Sequence, residues 1–439
     1  MLLTIEKLIY GGDGFARLPP GLPASKDQDR SRGKAVFIPF VLSGEKIDAS
    51  LSEEKPGFAR AQAISMVEPS PHRIPPLCPY FARCGGCHYQ HADYSHQLEI
   101  KKEILRENLR RIAKLELQCE IQVHPSPPWN YRNRSRLQVR NRPNFTVGYF
   151  KFASHELLPV EDCPISSPLI NRAIAALWEM GRSSKSVEGV REIGFFANAG
   201  DASLLIELSC APEARRAAVR AWAEELCAAM PEIAGVVAFR EPQKGVLEPL
   251  VAVGASELTY RAKTAAYRVT AGAFFQTNRF LVDELVDVVT SHRSGDLALD
   301  LYAGVGLFST ALACSFRHVV SVESSPTASN DLKYNLPANS QPVRSATERY
   351  LSTTFVEKSH ALHPDLIVVD PPRSGLGDPI ARAIATVAAP RITYVSCDPA
   401  TLARDLGPLM SAGYRVEEAH LVDLFPQTFH LESVLHLVR

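Results

Sequence analysis

The residues best suited to chemistry stand where apolar runs break off. Cys397 follows the β-branched and aromatic stretch Ile392-Thr393-Tyr394-Val395 and precedes Asp398-Pro399 and an amphipathic segment. Asp370 closes DLIVVD ahead of Pro371-Pro372-Arg373, and Glu432 opens the last apolar stretch, LESVLHLVR. A thiol at a strand exit suits nucleophilic addition, and a carboxyl group raised in pKa by burial suits proton removal. Most isolated cysteines are buried and structural, and Cys119, Cys210, Cys227 and Cys314 are read that way. Cys397 differs because of its polar flanks. For Glu432 the alternative is a surface glutamate on an edge strand, with His430 as a second candidate base.

A nucleoside pocket is legible upstream. LALDLYAGVGLFSTALA reads as strand, tight turn and helix, with Asp300 ending the strand and Gly304 and Gly306 letting the backbone turn close to a ligand. Glu323 ends the next strand, SVES, where an acidic side chain can bind the two hydroxyls of a ribose. A dinucleotide would need a third glycine and a pyrophosphate over the helix N-terminus; Ser309 occupies that third position. The pattern fits a nucleoside with a charged amino-acid tail and no phosphate, namely S-adenosylmethionine. Beside a methyl donor, a cysteine has a specific use. Its thiolate adds to C6 of a pyrimidine and makes C5 nucleophilic, after which a base removes the C5 proton so that the cysteine can leave. The loop after Asp370 carries Arg373 where amino-methylating enzymes place an aromatic, so amino methylation is disfavoured.

These residues need a sheet to hold them. LALDLYA, HVVSVES, DLIVVD and ITYVS are short continuous apolar runs, each followed by a candidate helix, as in strands buried on both faces of a parallel sheet. The expectation is an α/β, Rossmann-like domain over 266-439. Ahead of it, short strand-like runs to about residue 68 (LLTIEKLIY, KAVFIPFVL, KIDASL, FARAQAISMV), broken by GGDG and a polar insert at 19-34, suggest a small β-barrel. The span 69-265 reads as a central α+β domain. Its helix near 95-118 is expected to present Leu98, Leu105, Leu109 and Ile112 as one apolar stripe and to pack on the catalytic domain.

With 439 residues, 46% hydrophobic and 22% charged, the chain is a multidomain globular protein rather than a disordered or fibrous one. It has no long apolar run and no signal-like N-terminus, so no membrane partner is expected and the setting is read as cytoplasmic. A net charge of zero argues against a bulk polyanion binder, yet Lys and Arg crowd residues 101-150. Strand alternation would put Arg132, Arg134 and Arg136 on one face. Three of the nine cysteines, Cys78, Cys84 and Cys87, fall within ten residues; an odd total in a cytosolic chain favours metal binding or catalysis over a disulfide framework.

Taken together, FFQTN (274-278), LDLYAGVGLFS (299-309), VVDPPRSGL (368-376), YVSCDPATLARDL (394-406) and DLFPQTFHLESV (423-434) resemble the RNA uracil-5 methyltransferases that use S-adenosylmethionine. The resemblance covers nearly the whole chain. It implies a class I methyltransferase domain with Cys397 as nucleophile and Glu432 as general base. Gln276, Tyr302, Glu323 and Asp370 then line the cofactor site with Gly304 and Gly306, and Asp370 also lies near the target uracil. It further implies that Cys78, Cys84, Cys87 and Cys163 hold a [4Fe–4S] cluster of the non-radical type, with a structural task. Spacing alone leaves the metal open, and four thiolates by themselves would first be read as zinc. The N-terminal segment resembles a TRAM domain, an OB-like RNA-binding barrel.

Transfer-RNA-specific bacterial relatives commonly lack both TRAM domain and cluster, so the implied partner is ribosomal RNA of the large subunit, with tRNA second. Phe274, Phe275 and Phe429 are candidates to hold bases beside a flipped target. Two positions depart from the family pattern: Leu307, where asparagine is common, and Ala346 in SATERY, where a polar side chain usually reaches the adenine. The other readings are an RNA cytosine-5 methyltransferase, which usually carries a second cysteine that DPPR lacks, and a non-catalytic iron–sulfur RNA-binding assembly factor.

Overall fold

The computed structural model describes residues 1–18, 33–183, 188–240, 248–356 and 363–439. Most of the polar insert at 19-34 lies outside the described residues. The apolar runs singled out above become strands of one eight-stranded sheet. Across it the order is Ser340–Arg344, Phe316–Glu323, Gly295–Leu301, Leu366–Val369, Arg391–Ser396, Glu432–Val438, Arg415–Val422 and Ile121–His124. The first five strands run parallel, and Glu432–Val438 is antiparallel to both of its neighbours. Alternate residues feed two cores. Leu299, Leu301, Ile367, Ile392 and Tyr394 face the helices Asp378–Val387 and Pro399–Ser411, whereas Ala298, Val368 and Val395 face Val282–Thr290 and Leu307–Leu312. Helices cover both faces, which is why these strands are continuously apolar. Each buried Leu or Ile contributes about 1.5–3 kcal/mol.

A second sheet of seven strands, from Leu157–Pro159 at one edge to Glu248–Gly254 at the other, packs on Pro168–Arg182 and Arg216–Ala229. The N-terminal residues form a six-stranded sheet around Val36, Ile38, Ile47 and Ala59. There the run LLTIEKLIY is divided into two short strands, Leu2–Thr4 and Lys7–Leu8. Among the described residues no helix is long and apolar enough to cross a membrane.

The helix Tyr94–Asn108 ties the segments together. Asp93 caps it by accepting from the His96 N–H at 2.9 Å. Its inward face differs from the expected stripe: Gln97, Ile100, Lys101, Ile104 and Leu105 are buried, Leu98 is half-buried and Ile112 is 45% exposed. A π-helical turn over Leu109–Ala113 breaks the 3.6-residue phase before Ile112 is reached. Lys101 was not expected to be buried. It is fully enclosed, donating to Asp423 at 2.6 Å and to the Phe425 carbonyl at 2.9 Å. Removing either charge would strand the other, at a cost of about 3–5 kcal/mol. Gln97 exchanges two further bonds with Gln427, at 3.0 and 2.9 Å. The helix therefore fastens the loop that delivers Glu432.

The three-arginine face is also corrected. Arg132 precedes the strand Arg134–Arg140, and its guanidinium donates to the Arg134 carbonyl. Arg134 and Arg136 both pair with Glu207, at 3.4 and 3.6 Å, so they are not a free basic stripe. Cys210 is buried as expected and Cys119 and Cys227 are half-buried, but Cys314 is exposed, because its helix ends at Leu312.

Candidate functional site

The carboxyl ends of the parallel strands form the edge where open α/β sheets bind ligands, and the candidate residues follow it in spatial order. Glu323 ends one strand, and Tyr302, Gly304 and Gly306 follow the next. Asp370 leaves the third strand and Cys397 the fourth. Glu432 is the first residue of the antiparallel strand alongside. Ser396 pairs with Ser433 in register, so Cys397 and Glu432, one residue beyond on each strand, stand opposite each other.

The glycine turn is locked by Glu323. One carboxylate oxygen accepts from the Gly304 N–H at 2.9 Å and the other from the Ser325 N–H at 2.6 Å. Each oxygen keeps acceptor capacity for a diol. Tyr302 is held at φ +65°, a left-handed conformation that costs a non-glycine residue about 1–3 kcal/mol. Gly304, at φ +56°, has open space where a Cβ would project, so a ligand can approach its backbone closely. Gln276 is buried, on the FFQTN segment. Asp300, overlooked as a site residue, is fully buried. Its Oδ2 accepts from the Ser309 hydroxyl at 2.5 Å, and its Oδ1 has no partner. The two departures have local explanations: Leu307 is buried in the core behind the turn, and Ala346 caps a short helix without a side-chain bond.

The edge is rich in carboxyl groups. Burial first, and then neighbouring acids, push Asp300 and Asp370 up to about 7. Burial and Asp370 raise Glu432 well above the usual carboxyl range, against an opposing pull from Arg373. Burial, Glu432 and Asp370 push the Cys397 thiol up to about 12, with Arg373 again opposing. Arg373, beside Asp370 in the motif, is the second residue that sequence reading overlooked. His430 is a poor base, because burial, Arg373 and further cations push it down to about 3. Of the aromatics, Phe274 is 64% exposed, whereas Phe275 is 2% exposed and belongs to the core, so Phe275 cannot hold a base. Phe429 packs edge-on against Tyr10 and His88.

Cys78, Cys84, Cys87 and Cys163 line one cavity of about 340 Å³ together with Arg132 and His430. All four are half-buried and free of disulfides. Burial and mutual repulsion hold the Cys84 thiol at about 11 and push Cys87 higher still. A different set, Glu418, His420 and His436, brings its ligand atoms within 4.8 Å of one another. There Arg293 donates to Glu418 at 2.9 Å, while Thr393 and the Val288 carbonyl engage both nitrogens of His436. That set already holds its cation.

The family model for tRNA (uracil-5-)-methyltransferase matches residues 93–439. An uncharacterized RNA methyltransferase of Aquifex aeolicus is 31% identical, over 98% of this chain and 97% of that protein. One from Streptomyces coelicolor is 33% identical, over 92% of this chain and 88% of its own. The crystal structure of the Pyrococcus abyssi tRNA (uracil-54, C5)-methyltransferase in complex with S-adenosyl-L-homocysteine superposes with a TM-score of 0.74 at 23% identity, covering 100% of both chains. That likeness establishes a shared class I methyltransferase-like α/β fold. On sequence over most of its length, this chain belongs to the tRNA (uracil-5-)-methyltransferase family and is an RNA (uracil-5-)-methyltransferase.

Proposed function

We propose that the chain methylates C5 of a uridine in large-subunit ribosomal RNA, using S-adenosylmethionine and a covalent bond from Cys397 to C6. The observation that carries this reading is the register that sets Cys397 opposite Glu432, beside Asp370, on the edge that holds the glycine turn. The cofactor fits the site through charge: Asp300, Asp370, Glu323 and Glu432 gather where a sulfonium and an ammonium would be neutralised. Once bound, it supplies an electrophilic methyl group.

The chain's own residues do the rest. The Cys397 thiol gives its proton to solvent water, the thiolate sulfur bonds to C6, and the C5–C6 electron pair of the ring moves toward C5 and O4. After C5 has taken the methyl group, the Glu432 carboxylate accepts the C5 proton. The C6–S bond then breaks, the C5–C6 double bond returns, and the sulfur departs as thiolate. A raised pKa makes ionised Glu432 a stronger base than a surface carboxylate. The oxygens of Glu323 would take the ribose hydroxyls, and Gln276 and Tyr302 are assigned to the same cofactor site.

We assign Cys78, Cys84, Cys87 and Cys163 to a [4Fe–4S] cluster. The four cysteines line one cavity of about 340 Å³ and would supply the four thiolates that a cluster needs. The six-stranded sheet is taken as the TRAM module over 1-68, followed by a central domain over 69-265 and a methyltransferase domain over 266-439. Module and cluster together favour ribosomal RNA and a cytoplasmic setting. Transfer RNA is the second reading, because the family and the Pyrococcus enzyme are both named for it.

Incubating the purified protein with labelled cofactor and with ribosomal or transfer RNA transcripts tests the choice. 5-Methyluridine is expected in the large-subunit transcript. Methylation of tRNA alone would replace the substrate, and methylation of neither would end the reading.

Cofactor affinity should also depend on pH. Asp300 and Asp370, raised to about 7, are ionised above that pH and neutral below it. Their attraction for a cationic ligand is therefore present at pH 8 and largely lost at pH 6. Titration calorimetry should show binding weaker by about tenfold at the lower pH; constant affinity would remove these carboxyls from the site.

A further inference from the structure

The peptide at the nucleophile is held from outside its own sheet. The Tyr10 hydroxyl donates to the Cys397 carbonyl at 3.0 Å, across 387 residues of sequence. We propose that Tyr10, supplied by the N-terminal sheet, is a positioning residue for the Cys397 nucleophile. The inference rests on the reading of Cys397 given above.

The neighbouring peptides are tied within the sheet. The Ser396 carbonyl accepts from Ser433 at 3.2 Å, and the Asp398 carbonyl accepts from Ser396 at 3.0 Å. Asp398 then caps the following helix through the Ala400 and Thr401 N–H groups. Cys397 lies between these anchors, and Tyr10 holds its carbonyl. The other end of the same peptide, the Asp398 N–H, donates to the Ser396 hydroxyl at 3.2 Å. The Tyr10 bond is thus the second of two that fix the rotation of this peptide, and with it the direction in which the sulfur leaves the backbone.

Tyr10 is itself well placed for this task. It sits at the start of the turn between Lys7–Leu8 and Asp13–Arg17, closed by bonds from Ile9 to Asp13 and from Gly12 to Ile9. Gly12, at φ +94°, lets the turn press against His88, since a Cβ there would lie 3.1 Å from that ring. His88 donates its N–H to the Gln427 carbonyl at 2.9 Å. The Tyr10 ring meets Phe429 edge-on, with centroids 5.5 Å apart. The turn thus touches both loops of the catalytic pair, the one carrying Cys397 and the one leading to Glu432. Burial, Asp398 and Cys397 all keep the phenol protonated, so the donor persists across the working pH range.

Tyr10→Phe keeps the ring contact and removes the donor, so it isolates the positioning effect. Adduct formation with 5-fluorouridine RNA, followed at saturating RNA and cofactor, should slow by about ten- to a hundredfold, the scale of a small misplacement of a reacting group. The loss should be equal across the neutral pH range, with KM for RNA, cofactor affinity and Tm unchanged. A wild-type rate in Tyr10→Phe would overturn this inference and leave the Cys397 reading intact. A raised KM with an unchanged saturated rate would also overturn it, making Tyr10 an RNA contact. Wild-type protein that forms no adduct would overturn both.

Discussion

Cys397→Ala is expected to lose all detectable methylation, a drop of about 10⁴-fold or more, on the order of 5 kcal/mol of barrier. It should also form no adduct with 5-fluorouridine RNA. The size follows from the chemistry: without sulfur addition at C6, C5 of uracil has no electron pair to offer a methyl group. The fold should be untouched. Cys397 is half-buried, at the mouth of the sheet, so truncation leaves no sealed cavity and the Tm should hold. Cys397→Ser should behave like alanine, because a hydroxyl ionises far less readily than a thiol and its oxygen is a much weaker nucleophile toward C6. Methylation retained in either variant would mean that the reaction does not pass through this sulfur.

Glu432→Gln should fail later and differently. The sulfur still adds and C5 still takes the methyl group, but the C5 proton has no acceptor, so the protein remains bonded to methylated RNA. A band of RNA-linked protein should build up with ordinary uridine substrate, and turnover should fall by about 10²- to 10⁴-fold. Mass spectrometry of the adduct should show the added methyl group. Stability should hold or rise slightly, because burial and Asp370 already favour the neutral form of this side chain, which glutamine imitates. His430→Ala should leave elimination intact, since His430, held down at about 3, is a poor proton acceptor at neutral pH. Loss of turnover without adduct in Glu432→Gln would place Glu432 before methyl transfer and assign the base elsewhere.

Much of the edge was legible because its signals are local. A continuous apolar run ending in a polar residue marks a strand exit, and Asp370, Cys397, Glu323 and the glycine turn all announce themselves that way. Glu432 was readable as the start of a strand. Nothing local states that its strand runs back beside the Cys397 strand with Ser433 against Ser396, and that register makes the two residues a pair. Asp300 and Arg373 stood inside quoted motifs and were passed over for their neighbours. The unsatisfied Oδ1 of Asp300, which distinguishes it from a structural carboxylate, exists only after folding.

The misreadings have the same origin. A free basic strand face was a fair expectation from alternation, but Glu207 comes from a strand far along the chain and pairs with two of its arginines. Lys101 looked like one more solvated helix charge until Asp423 enclosed it, 322 residues away. Cys314 is exposed because its helix ends at Leu312, and Phe275 is buried because its ring packs in the core with Tyr260 and Tyr267.

By its own pattern, then, the sequence determined the fold class of the catalytic part, the strand exits and the chemical types presented there, since periodicity and turn chemistry act over a few residues. The tertiary structure decided which exits face one another, which charges are cancelled, and that Tyr10 reaches Cys397. Those contacts depend on topology and register, which bring together residues hundreds of positions apart and leave no local trace in either segment.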